Sequence, residues 1–153
     1  MEQFTAIPLP GLLIAEEYLN GKGSKQWAGR VWKSRMRVCA SPLRAELVRE
    51  HREISARCVL CGIGEDEDYS HMLLRCTAYR DSRIVMFESL KQLIEKEVSD
   101  GNDNGNMKMK WSANSDDDMT IWLLSDYLCD IPVKQFLYEA FATRAKRLGL
   151  RLD

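Results

Sequence analysis

The chain has 153 residues, of which 45% are hydrophobic and 29% charged, and its formal net charge is -1. This length is enough for one domain that buries its own core without help from metal or disulfides. No run of about 18 apolar residues occurs, which excludes a membrane-spanning helix. The start MEQFTAIPLPGLLIAEEY has no basic segment before its apolar run, so we expect no signal peptide.

The five cysteines therefore indicate an intracellular, reducing compartment, where closely spaced thiols more often hold metal than form disulfides. The net charge hides an uneven distribution along the chain. Residues 21–57 carry ten basic side chains against three acidic ones, whereas acids crowd into residues 65–68 and 116–118. The basic segment is the first candidate for a surface that binds a polyanion.

Residues 1–23 match no pattern that predicts a structure, and we treat them as an N-terminal extension. Residues 24–98 are predicted to form basic helices followed by a cysteine-rich module. Its first helix has Ser24 as N-cap and places Trp27, Val31 and Met36 near one face. We expect these aromatic and aliphatic side chains to be core residues.

A second helix is predicted to begin at the N-cap Ser41, with Pro42 as its first residue. Residues at helical spacing continue as far as Ile54, and His51 is one of them. We expect His51 to be a half-buried helix residue and not a metal ligand. The side chains with helical spacing are Leu43, Leu47, Val48, His51 and Ile54.

A third helix is predicted from about Asp81 to Val98, and a flexible linker rich in Gly, Asn and Asp over residues 99–118. We expect the linker to lie outside the packed core, with Trp111 as its candidate for docking on that core. Residues 119–153 are predicted to form C-terminal helices that pack on the module. The first runs from Met119 to Leu128 behind an aspartate cap, and the last starts at Asp130 and ends near Gly149. The predicted buried stripe of the third helix is Ile84, Phe87, Leu90 or Lys91, Ile94 and Val98.

The stretch CVLCGIGEDEDYSHMLLRC has the spacing C-x2-C-x9-H-x4-C. Two cysteines separated by two residues can reach one ion from a tight turn, and the glycines that follow supply the backbone freedom which such a turn needs. Three thiolates and one imidazole suit Zn²⁺, and four protein ligands leave no position for a reacting water. The predicted site is a structural zinc site. Its ligands are Cys58, Cys61, His71 and Cys76.

The other acidic and cysteine residues are not predicted to bind the metal. The acidic run EDED, residues 65–68, is predicted to be a solvated loop, because carboxylates compete poorly with thiolates for zinc. Cys39 and Cys129 have no nearby partners and are expected to be buried free thiols. The fold class that follows is mostly α: a small helical domain organised around a Cys3His zinc site.

The run from Trp27 to Phe87 resembles the zinc-binding region downstream of the polymerase domain in LINE-type, non-long-terminal-repeat retrotransposon reverse transcriptases. The likeness consists of a basic helical lead-in, the Cys-x2-Cys-Gly turn, an acidic gap, HMLLRC, and TAYRDSR at the start of a helix. FLYEAFATRAKRLGL is similar to the closing helix of that family. The resemblance implies an intracellular module, nuclear or cytoplasmic, that holds template RNA or target DNA, with the polymerase domain of a longer polyprotein as a further partner.

Three functions are compatible with the sequence in different degrees. The first is a nucleic-acid-binding zinc module without catalytic activity or a small-molecule substrate. The second is a zinc-stabilised adaptor that binds a partner protein and no nucleic acid. An enzyme is the third and least supported, because the chain has no Gly-rich phosphate loop and its adjacent aspartates, residues 116–118, lie in a polar segment. The predicted nucleic-acid contacts are Lys25, Arg30, Lys33, Arg35, Arg37 and Arg57.

Overall fold

The computed structural model describes residues 25–101 and 115–149. The predicted extension 1–23, the Ser24 cap and Trp111 lie outside this range. The described part is mostly helical and contains no strand, as the fold-class prediction states. None of its helices is both long enough and apolar enough to cross a membrane. Its helices are α1 (Lys25–Arg37), α2 (Arg44–Arg49), a π-helical turn (His71–Arg75), a 3-10 turn (Thr77–Tyr79), α3 (Arg80–Ser99), α4 (Asp116–Ser125) and α5 (Asp130–Leu148).

Helices α1 and α5 pack closely along each other, and α3 covers another side of α5. The close approach of α1 depends on Gly29, because a Cβ at this position would lie 1.9 Å from the carbonyl oxygen of Lys134. Trp32 of α1 stacks on Phe141 of α5, with ring centroids 4.0 Å apart. Met36 is buried, as predicted, whereas Trp27 and Trp32 are only half-buried. Helix α5 is thus in contact with both α1 and α3.

The second helix is much shorter than the sequence predicts. Helix α2 has six residues, and Leu43 stands at its N-cap in place of Ser41. It ends because His51 adopts the left-handed conformation, with φ 59°, while the amides of His51 and Arg52 donate to the carbonyls of Val48 and Leu47. This is the Schellman arrangement, which closes a helix by bonding its last free carbonyls.

The prediction that the second helix buries residues as far as Ile54 is consequently wrong. Once the chain leaves the helix after Arg49, the helical spacing no longer places later side chains on one face. His51 is exposed instead of half-buried, and Ile54 is fully exposed.

Helix α3 agrees with its predicted limits to within one residue at each end. Its buried side chains are Met86, Leu90 and Ile94, so the predicted stripe is confirmed at Leu90 and Ile94. Phe87 and Val98 of that stripe are half-buried and pack against the core, whereas Ile84 is 46% exposed. At the entry to the helix, the buried Tyr79 packs edge-to-face on Phe136 of α5, with ring centroids 6.4 Å apart.

Helix α4 starts three residues before the predicted position, so that residues 116–118 belong to a helix and not to the linker. Its cap is Ser115, whose hydroxyl oxygen accepts a hydrogen bond of 3.1 Å from the amide of Asp118. The aspartates of the first turn also suit the positive end of the helix dipole. Helix α5 confirms the prediction at both ends, since it begins at Asp130 and Gly149 ends it in the left-handed conformation, with φ 64°.

Candidate metal centre

The three cysteines and the histidine of the predicted site are brought together. One ligand atom from each of Cys58, Cys61, His71 and Cys76 lies within 4.8 Å of all the others. The Sγ atoms of Cys58 and Cys76 are 3.9 Å apart, and the Sγ of Cys61 is 3.4 Å from Nε2 of His71. All the cysteines are free thiols, so no disulfide competes for these sulfurs. The arrangement can hold one metal ion.

The first two ligands come from a tight loop, residues 56–67, which we name the cysteine knuckle. Its base is closed by two backbone hydrogen bonds, from the amide of Cys58 to the carbonyl of Glu65 and from the amide of Glu67 to the carbonyl of Ala56, both 2.8 Å. Gly62 and Gly64 turn the chain back with φ of 68° and 86°. Positive φ is available to glycine at little cost, so C-x2-C-G-x-G folds locally into this loop.

The last two ligands are presented by the π-helical turn, with His71 at its first residue and Cys76 directly after its last. The amide of Cys76 donates to the carbonyl of His71 over 2.7 Å, which is the i to i+5 bond of a π-helix. At the start of the turn, the Asp68 carboxylate accepts the His71 amide at 2.7 Å. The wider turn places both side chains on the same inner side.

A guanidinium group closes the end of this turn. Arg83, from α3, donates to the carbonyls of Leu73 at 2.8 Å, Met72 at 3.3 Å and Cys76 at 2.6 Å. The carbonyl of Cys76 also accepts the amide of Tyr79 at 3.3 Å, so Arg83 is a second donor to that carbonyl. The helix that follows the last cysteine therefore fixes the position of that cysteine.

The imidazole of His71 is fully buried and oriented by Glu65. The carboxylate of Glu65 accepts a hydrogen bond of 3.0 Å from Nδ1, which leaves Nε2 directed at the sulfur of Cys61. The Arg75 guanidinium donates to the same oxygen at 2.7 Å and also pairs with Asp116 of α4. Arg75 first, and His71 second, hold the pKa of Glu65 below its ordinary value. A carboxylate on the outer nitrogen of a histidine is a common support for a metal ligand.

The thiols need a cation to be thiolates here. Burial raises the pKa of Cys58, and burial together with the neighbouring sulfurs raises the pKa of Cys76 to about 12. Three thiolates crowded together without a positive charge would repel one another. A coordinated metal ion removes this penalty because it deprotonates the thiols that bind it.

The acidic run of residues 65–68 is the predicted solvated loop only in part, because Glu65, Asp66 and Asp68 reach solvent whereas Glu67 does not. Glu67 has no exposed surface, and its oxygens accept hydrogen bonds from Nε of Arg144 at 2.8 Å and from Nη2 at 3.0 Å. The backbone amide of Arg44 donates to the same carboxylate at 3.0 Å. A solvated loop would leave these donors unpaired in the core; the observed pair instead connects the cysteine knuckle to α5 and α2.

The predicted nucleic-acid contacts have different surroundings. Lys33 is 4% exposed, and its ammonium contacts Asp130 at 3.1 Å, so the expectation that it contacts a phosphate is corrected. Arg37 donates from Nε to the carbonyl of Leu124 at 2.7 Å and thus closes the end of α4. Lys25 opens α1, but its side chain lies outside the described part of the structure. The exposed members of the set are Arg30, Arg35, Arg37 and Arg57.

Of the two remaining cysteines, Cys129 is buried as predicted, while Cys39 is half-buried and has φ 54°.

Sequence reasoning missed Glu65, Glu67, Arg75 and Arg83 as supports of the site. Glu65 and Arg75 could have been found from the sequence, because both lie close to ligands. Arg75 directly precedes Cys76, and Glu65 is 6 residues before His71. Arg83 bonds backbone carbonyls near the end of the turn, which no sequence pattern marks, and Arg144, the partner of Glu67, lies 77 residues away in the chain. No protein-family model, curated protein or solved structure matches the chain.

Proposed function

We propose that this chain is a zinc-stabilised nucleic-acid-binding module of the kind that follows the polymerase domain in LINE-type reverse transcriptases. Its role would be to hold template RNA or target DNA, with no polymerisation of its own. The observation that carries the proposal is the convergence of three sulfurs and one imidazole nitrogen within 4.8 Å.

Zinc is the ion that fits this donor set best. A tetrahedral ion with bonds of about 2.3 Å to sulfur and 2.0–2.1 Å to nitrogen has ligand atoms about 3.8 Å apart for two sulfurs and about 3.5 Å apart for sulfur and nitrogen. The corresponding distances here are 3.9 Å and 3.4 Å. Four protein ligands give a closed, structural site, so the ion would stabilise the fold and not activate water.

Support for nucleic acid as the partner comes from α1. This helix has five basic residues and no acidic one, and two of its arginines, Arg30 and Arg35, are exposed and form no ion pair with a described acid. Arg57 adds an exposed guanidinium on the cysteine knuckle. The resemblance of the stretch from Trp27 to Phe87 to the retrotransposon region points to the same class of partner.

A salt titration of binding tests the proposal. Zinc-loaded protein is titrated with short single-stranded RNA and DNA at several salt concentrations, with a chelator-treated sample beside it. If Arg30, Arg35 and Arg57 each neutralise a phosphate, the logarithm of affinity should fall with the logarithm of salt at a slope of roughly -2. The absence of binding at low salt, or binding that ignores salt, would contradict the nucleic-acid role.

A protein-interaction adaptor is the second candidate, and exposed apolar side chains favour it. Val38 is 72% exposed, Tyr127 76% and Ile131 63%. In addition, the buried cations Lys33, Lys134 and Arg144 are all paired inside the molecule, which lowers the charge available for phosphate. One zinc per chain without nucleic-acid binding in the same titration would select this candidate.

A further inference from the structure

The guanidinium of Arg35 lies over an aromatic ring that is itself stacked on a second ring. Phe141 is 3% exposed and forms the innermost layer. Trp32 lies on it as a stacked ring, with 4.0 Å between centroids and an angle of 17° between planes. The guanidinium carbon of Arg35 lies over the Trp32 ring, 4.9 Å from its centroid. Because Arg35 is exposed, its guanidinium can be reached from solvent.

The guanidinium of Arg35 is available for a ligand in a way that its neighbours are not. No described carboxylate forms an ion pair with it, and α1 itself contains no acid. By contrast, Lys33 is paired with Asp130, and Arg37 is bonded to the end of α4. Contact with the indole face limits the motion of the Arg35 side chain, so little further order is lost when a ligand binds.

We propose that this stack is a seat for an unpaired nucleobase, which lies on the free side of the Arg35 guanidinium and extends the series by one layer. Unpaired bases stack on arginine planes as they do on aromatic rings, and every base offers a π face. A paired base in a duplex has both faces occupied by its neighbours. The ligand class is therefore single-stranded RNA or DNA, and this inference rests on the proposed nucleic-acid function.

Lysine at position 35 separates stacking from simple charge attraction, because Arg35→Lys keeps the positive charge and loses the plane. The zinc-loaded chain of 153 residues is titrated with a single-stranded oligonucleotide of about 12 nucleotides and with an abasic strand of the same length. Arg30→Lys is the matched control on the same helix, since Arg30 lies on no aromatic ring in the described residues. Thermal melting verifies that both variants are folded.

The expected result is a loss of about tenfold in affinity of Arg35→Lys for the strand with bases, and no loss for the abasic strand. The Arg30→Lys control should change little on either strand. An equal loss of affinity on both strands, or no loss on either, would overturn the stacking seat while leaving the nucleic-acid function intact. If the unaltered protein binds neither strand, the proposed function fails, and the seat fails with it.

Discussion

The ion pair between Glu67 and Arg144 allows a sharp test of how the metal centre is joined to the helices. Both side chains are buried, at 0% and 5% exposure, and the carboxylate accepts three hydrogen bonds. In Glu67→Gln the guanidinium of Arg144 keeps its charge in the interior but loses the opposite charge. Removal of one partner from a buried pair costs about 3–5 kcal/mol. A domain of this size has a free energy of unfolding of about 5–15 kcal/mol, so the loss should be a large part of the total.

The assay is urea unfolding at a fixed, saturating zinc concentration, because any ion that binds the native state adds to apparent stability. Glu53→Gln is the matched control: its carboxylate meets Nη2 of Arg44 at 3.4 Å, but it is 40% exposed. Exposed pairs of this kind contribute about 0–1 kcal/mol. A double-mutant cycle with Arg144→Met then isolates the pair itself.

The reasoning would be refuted if Glu67→Gln cost no more than Glu53→Gln. It would also be refuted if the losses of Glu67→Gln and Arg144→Met were simply additive, because residues that form a buried pair should show a coupling free energy.

Three further predictions follow from the described contacts. Gly29→Ala should lower the free energy of unfolding by about 2–3 kcal/mol in urea, although helix propensity alone favours alanine by about 1 kcal/mol, because the new Cβ would meet the backbone of Lys134. Glu65→Gln should weaken metal affinity about 10–100-fold in a chelator competition, since Glu65 orients the imidazole of His71. Burial raises the pKa of Asp130, but its two lysine partners outweigh this effect and lower the pKa. The stabilisation from Asp130 should thus be complete above the ordinary value of 3.8 and be lost as the pH falls through the lower native value, as pH-dependent melting of Asp130→Asn against the unaltered protein would show.

The first two of these predictions have a control on the same element or loop. Ser34→Ala, at an exposed position of α1, should gain a little stability from propensity alone. Asp66→Asn, exposed on the cysteine knuckle, should leave metal affinity unchanged. A stable Gly29→Ala, an unchanged affinity in Glu65→Gln, or a stability difference for Asp130→Asn that persists at low pH would each contradict the corresponding prediction.

The grouping of the metal ligands could be predicted from the sequence because it is local. Four ligands fall within nineteen residues, and a Cys-x2-Cys-Gly turn has few backbone solutions that place both sulfurs on one side. Helices α3 and α5 could also be predicted from the sequence, because apolar residues recur at helical spacing along each of them and a glycine ends α5. In these cases, the information needed lies within one helix or one loop.

The surroundings of the site could not be predicted because they depend on distant residues. Glu67 lies in an acidic run that is typical of a surface loop, and its partner Arg144 is 77 residues away in the chain. The early end of α2 depends on the left-handed conformation of His51, for which the sequence shows no glycine or proline. Lys33, whose neighbours on α1 are exposed basic residues, is buried because Asp130 of another helix faces it.

The central claim is that Cys58, Cys61, His71 and Cys76 bind one zinc ion, and X-ray absorption at the zinc edge tests it most directly. On purified protein with its metal content measured in parallel, we expect one zinc per chain, three sulfur neighbours at about 2.3 Å and one nitrogen at about 2.0–2.1 Å. The metal should be absent from Cys61→Ala and from His71→Ala. A chain that holds no zinc, or a shell of oxygen ligands that both variants retain, would contradict the account.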